Sequence, residues 1–303
     1  VFTIGSLAVS GDGGRAVIGC IEGWDRGSAH VLDLKTGERI VSLRTGTEWV
    51  KGVGLDALGA RALVVGTNGD GMRNVQVWDV ASKKIALDLA AVYSWRLSGA
   101  AQSPDGRFVA TTGEDGRAHV WDLETGALVT ELGPPVGWIT GVAFCPSDPR
   151  RLVTVAAGIE GAIGPTLRGW NLDMIVETKV DLPATPRAVA CFPTPSQVLL
   201  GFDGPVERWS LLTGERVTQY ASHAMQVTGV AISPDGKRIL SCALDGLVRL
   251  SDTISGDELD TLDLGPTGDW PVQVVFRSSE QFLIGTARGV VLDVELSTAS
   301  RAR

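Results

Sequence analysis

The chain repeats itself, and that repetition constrains its fold more than any other feature. Ser103–Leu132, SPDGRFVATTGEDGRAHVWDLETGALVTEL, can be laid over Ser233–Leu262, SPDGKRILSCALDGLVRLSDTISGDELDTL. An anchor at the end of the first apolar run of each unit falls at Ser10, Asp56, Ser103, Cys145, Phe192, Ser233 and Arg277. Successive anchors are 46, 47, 42, 47, 41 and 44 residues apart. A period of 40 to 50 residues marks a stacked or radial array of small supersecondary units. A generic length prior would divide 303 residues into about two domains of ~150. A closed array overrides it, so one domain is expected over 1–303, in units of approximately 1–45, 46–91, 92–133, 134–182, 183–221, 222–263 and 264–303.

Within each unit four short apolar runs alternate with turns, as in LSGAAQ, SPDGR, FVATT, GEDG, RAHVWDL, ETG and ALVTEL of the third. Runs of four to seven residues rich in Val, Leu, Ile and Thr are strand chemistry, and no segment sustains a helical period. Asp-Gly and Thr-Gly pairs supply the positive φ of tight hairpins. The recurring Asp105, Asp115, Asp235 and Asp245 therefore read as turn-setting carboxylates bonded to their local backbone.

"VWD" at Val77–Asp79 and Val120–Asp122, with the weaker "GWN" at 169–171, "RWS" at 208–210, "LSD" at 250–252 and "VLD" at 31–33, closes the third run of successive units. With the period, these residues make the chain resemble a WD-repeat β-propeller over essentially its whole length. Trp24-Asp25 is not counted, because it lies between strands. The resemblance implies an all-β, seven-bladed propeller of four-stranded antiparallel sheets around a channel. It also implies a His, Ser/Thr, Asp and Trp hydrogen-bonded set within a blade. Unit 6 offers His223, Ser241 and Asp245, with Ser251 in place of the Trp; unit 3 offers Thr111, Asp115 and Trp121, with Tyr93 in place of the His; unit 5 keeps Asp203 and Trp209. No unit has all four. The seventh blade is expected to hold three strands, its outer strand coming from flanking residues outside this sequence. A fourth strand built from Val1–Ile4 or Thr298–Arg303 would contradict that.

Chemistry for catalysis is sparse. The three histidines are His223, read as structural, His119 in "AHVWD", and His30, placed at the start of a third strand. No Ser-His-Asp arrangement, GxSxG elbow, HExxH or CxxC zinc spacing is legible. GTNGDGM (Gly66–Met72) fails as a calcium loop, because Gly66 and Val77 occupy the first and last ligand positions. No metal and no cofactor is expected. Cys20, Cys145, Cys191 and Cys242 lie in apolar runs and read as buried free thiols, which favours a reducing compartment and hence the cytoplasm. A net charge of −8 without a basic stripe disfavours nucleic acid, and no apolar run reaches the 18 residues of a membrane-spanning helix.

The tryptophans carry the functional expectation. Seven residues before each anchor stand Thr3, Trp49, Arg96, Trp138, Thr185, Gln226 and Trp270, and Trp95 is one step away. In the family resembled here, that connector lies at the channel mouth and commonly contacts peptide segments; Trp24, in the insertion CIEGWDRGSAH, would join it. Third-strand Trp78, Trp121, Trp170 and Trp209 already serve packing between blades. So Trp24, Trp49, Trp95, Trp138, Trp270 and Arg96 are expected to bind a partner, with Glu48 and Asp269 on a polar rim. The resulting expectation is a non-catalytic interaction or ligand-sensing scaffold. Its partner would be a protein, a peptide, or an effector domain of the same parent chain. A propeller hydrolase with carboxylates, His or metal at the mouth is the alternative, and a purely structural assembly module the third.

Overall fold

The computed structural model describes residues 2–23, 26–67, 73–89, 97–113, 115–134, 137–159, 163–173, 176–194 and 196–296. Among these residues, six antiparallel sheets of four strands and one of three are arranged as a seven-bladed β-propeller. The inner strands, from blade 1 to blade 7, are Phe2–Val9, Trp49–Leu55, Leu97–Gln102, Ile139–Cys145, Ala188–Cys191, Val227–Ile232 and Pro271–Phe276. Each touches the inner strand of the next blade, and the seventh touches the first, so the ring closes around an axis.

The apolar runs explain the closure. Each sheet is apolar on both faces near the axis, and seven buried clusters form, one at each interface between neighbouring blades. Third-strand tryptophans fill these clusters from the following blade: Trp78 packs on blade 1, Trp121 on blade 2, Trp170 on blade 3 and Trp209 on blade 4. Two of the indoles are tied to the second strand by equivalent bonds, Trp121 Nε1 donating to Thr111 Oγ1 at 3.3 Å and Trp170 Nε1 to Thr154 Oγ1 at 3.0 Å.

The turns after the inner strands are set by the Ser and Asp of SPDG and its variants. Ser233 Oγ donates to Asp235 Oδ1 at 2.6 Å and accepts from Arg238 N at 2.9 Å; Ser10 makes the same pair of bonds with Asp12 and Arg15. Gly236 then needs its φ of 72°, a left-handed conformation that a side chain would strain.

Blade 7 has three strands, and its third, Val291–Glu295, has no outer neighbour among the described residues. Phe2–Ile4 pairs with Cys20–Glu22 inside blade 1, and Thr298–Arg303 lies outside the described residues. The seam between blades 7 and 1 is held by side chains: Leu7 N donates to Gln273 Oε1 and Arg277 Nε to Gly13 O, both at 2.8 Å.

One sequence reading is overturned. Cys145 and Cys191 are buried but not free; a disulfide joins them, with their Cα atoms 4.9 Å apart. They are the last residues of the inner strands of blades 4 and 5, which lie side by side in the ring. Cysteine usage therefore no longer argues for a reducing compartment. Cys20 and Cys242 are the free, buried thiols, and burial pushes them up to about 11 and about 12.

Candidate channel-mouth site

Every inner strand begins with an irregularity at the same place. Gly5, Lys51, Ser98, Thr140, Thr228 and Val272 are each skipped in the pairing with the second strand, the two-against-one count of a β-bulge. In blade 5, Arg187 N donates to Gly201 O at 2.7 Å while Ala188 also pairs with Gly201, which makes Arg187 the equivalent residue. A bulge turns its residue out of the strand's alternation, here toward the neighbouring blade and the axis.

The ring of bulge residues divides by chemistry. Ser98 Oγ donates to Ile139 O at 3.0 Å, Thr140 Oγ1 to Pro186 O at 2.8 Å and Thr228 Oγ1 to Pro271 O at 2.9 Å. These three hydroxyls stitch consecutive blades together at the start of their inner strands. Lys51 and Arg187 bring cations instead. Arg187 is held by Asp203 through two bonds, Nε to Oδ1 and Nη2 to Oδ2, both at 3.0 Å.

Five blades meet at a cavity of about 560 Å³ there. Its lining includes Trp49, Trp138, Lys51, Arg187, Gln226 and Thr140. Trp49 is partly exposed and Trp138 is 67% exposed. The structure thus brings two of the sequence-selected tryptophans to one depression. Trp270 is 45% exposed but does not line it. Trp24, Trp95, Arg96 and most of the loop after Gly66 lie outside the described residues. Lys51, Arg187 and Gln226 join the site; of these the sequence reading had only Gln226, and only by position. Asp269 is not a rim carboxylate: it is 9% exposed and its Oδ1 accepts from Trp270 N at 2.8 Å and Arg288 N at 3.1 Å.

In the connector that enters blade 6, three residues before Gln226, His223 stands in a buried set. Its Nδ1 lies 3.0 Å from Asp245 Oδ2 and its Nε2 2.8 Å from Ser241 Oγ. These are the three residues that the sequence offered as a hydrogen-bonded set of unit 6, and their geometry is that of a hydrolytic Ser-His-Asp relay. Burial decides against catalysis: the His223 side chain is fully buried and Ser241 is 4% exposed, so no substrate carbonyl can reach Oγ. In unit 3, Asp115 Oδ2 is 3.5 Å from His119 Nε2, while Thr111 holds Trp121. His30 sits within the strand Arg26–Asp33, not at its start, with Nδ1 3.0 Å from Ser42 Oγ. Among the described residues no three His, Cys, Asp or Glu side chains are placed to hold a metal.

Burial lowers the pKa of His223, outweighing the opposing pull of Asp245. The unfolded chain therefore takes up a proton near the ordinary value of 6.5 while the folded one does not, and stability is lost as pH falls below that value. Asp245 is lowered in the fold by its backbone bonds from Leu247 and Ala224 and by His223, against its own desolvation; its contribution is lost further into acid. His223→Asn is expected to show a smaller loss of urea midpoint between pH 7.5 and pH 5.5 than the parent. His30, also lowered by burial, contributes the same sign in both proteins. Equal losses in the two proteins would refute the assignment.

The model of the "WD domain, G-beta repeat" family matches residues 91–122 and 214–252. The chain is 22% identical over 227 residues to a Periodic tryptophan protein 2 homolog of Dictyostelium discoideum, covering 73% of this chain and 24% of that protein. It is 28% identical over 243 residues to Actin-interacting protein 1 of Drosophila melanogaster, covering 77% and 39%. To Autophagy-related protein 16 of Arabidopsis thaliana it is 22% identical over 224 residues, covering 72% and 43%. The chain spans less than half the length of each of these relatives.

Proposed function

Since the chain is a WD-repeat β-propeller domain, we propose that it is a non-catalytic recognition scaffold that holds a peptide segment of a partner protein at the channel mouth. The observation that carries this reading is the cavity where five blades converge, walled by Trp49 and Trp138. An indole buries a large area with few rotors to freeze, which is why Trp dominates binding hot spots. Exposing Trp138 to 67% leaves that area unspent in the free protein. The names of two relatives refer to actin interaction and to autophagy; those are statements about those proteins. They support a protein partner as the class of ligand.

The test is selection from a random peptide display library with the whole chain as bait, followed by titration of the retained peptides. Trp138→Ala is expected to weaken their binding by about 2 kcal/mol or more, roughly thirtyfold, with an unchanged thermal midpoint. Ile254→Ala, at a still more exposed apolar side chain on a turn between strands, is expected to change nothing. Peptides that bind both tryptophan-deficient variants, Trp49→Ala and Trp138→Ala, as tightly as the parent would refute the site.

A further inference from the structure

We infer that the mouth recognises an acidic peptide segment, whose carboxylate meets Lys51 while its apolar neighbours cover Trp49 and Trp138. This rests on the reading above and adds the chemistry of the occupant. The protein carries a net charge of −8, yet the described residues lining the mouth cavity include Lys51 and Arg187 and no carboxylate. Both cations occupy the bulge position of an inner strand, so the backbone irregularity aims them at the cavity. Their states differ. The guanidinium of Arg187 is paired along its Nε–Nη2 edge with both oxygens of Asp203, which stands beside the cavity without lining it. The Lys51 ammonium is exposed and makes no ion pair among the described residues.

One uncompensated positive charge fits one negative charge. A carboxylate side chain meets that condition, whereas a phosphorylated residue brings close to two charges to a site with one to answer them. The indoles fix the rest of the occupant. An extended peptide presents alternate side chains to one surface. A carboxylate on Lys51 therefore places the residues two positions away over Trp49 or Trp138, and apolar groups there complete the contact.

The same library gives the test, read now as composition. Peptides retained by the parent are expected to be enriched in Asp and Glu, with apolar residues two positions away. Their binding should weaken about tenfold on replacing the acidic residue by its amide and about tenfold between 50 mM and 500 mM NaCl. Lys51→Glu is expected to abolish the acidic enrichment and to select Lys or Arg at that position. Lys51 is exposed, and an unchanged thermal midpoint will show that the variant folds. Phosphoserine versions of the retained peptides should bind no tighter than the aspartate versions; tighter binding would overturn the carboxylate assignment. Retention that depends on Trp138 but shows no acidic enrichment, or a Lys51→Glu profile like the parent's, overturns this inference alone. Retention independent of both tryptophans, or no retention at all, overturns the mouth reading beneath it.

Discussion

Trp121→Ala is expected to lower the unfolding free energy by about 3–5 kcal/mol, the usual consequence of deleting a large buried aromatic side chain. Trp121 is 2% exposed and lies in the cluster shared by blades 2 and 3, against Leu63, Val65, Leu97 and Val109. Alanine leaves a void walled by strands of two sheets. Those sheets cannot collapse onto it without shifting neighbours on both sides of the ring. The hydroxyl of Thr111 also loses the Nε1–H that it accepts. Urea unfolding followed by far-ultraviolet circular dichroism measures the change. Trp138→Ala, which removes an indole of the same size from the surface, is the control and should move the midpoint by no more than about 0.5 kcal/mol. A Trp121→Ala loss as small as the control's would show that the interface clusters do not hold the blades.

Reduction of the Cys145–Cys191 bridge should cost about 2–4 kcal/mol. The residues are 46 apart in sequence, and chain-entropy arithmetic for such a loop falls between ~3 kcal/mol for 15 residues and ~4.7 for 100. Both sulfurs belong to the packed cluster between blades 4 and 5, so Cys145→Ala with Cys191→Ala also tests the loop constraint against the lost packing. A parent that unfolds at the same urea concentration with and without reductant would contradict the role given to the bridge. So would four titratable thiols in protein denatured without reductant.

The fold was legible because it is periodic. The anchors fall at or one residue beyond the ends of the seven inner strands, since the Ser-Asp-Gly chemistry of the turn fixes where a strand must stop. Three parts of the molecule were less accessible. The bulge residues Gly5, Lys51, Ser98, Thr140, Arg187, Thr228 and Val272 share no side-chain property, so only their common distance from the anchor could reveal them. The disulfide had a signal that went unread. Cys145 and Cys191 are 46 residues apart, within one residue of a full repeat, so both fall at the ends of adjacent inner strands. The His223, Ser241 and Asp245 set was visible as a list of residue types, but its relay geometry and its burial needed coordinates.

The join between first and last sheets has a mechanical consequence. Among the described residues it is riveted by Leu7 to Gln273 and Arg277 to Gly13, with no ladder of main-chain bonds shared between the two sheets. A tensile load on residues 2 and 296 would part this joint before shearing any sheet and then peel sheets inward from both sides. Peeling halts where the sulfur–sulfur bond shackles the fourth sheet to the fifth. Among the described residues the ring thus has a seam tied by side-chain bonds and, nearly across from it, a covalent clasp.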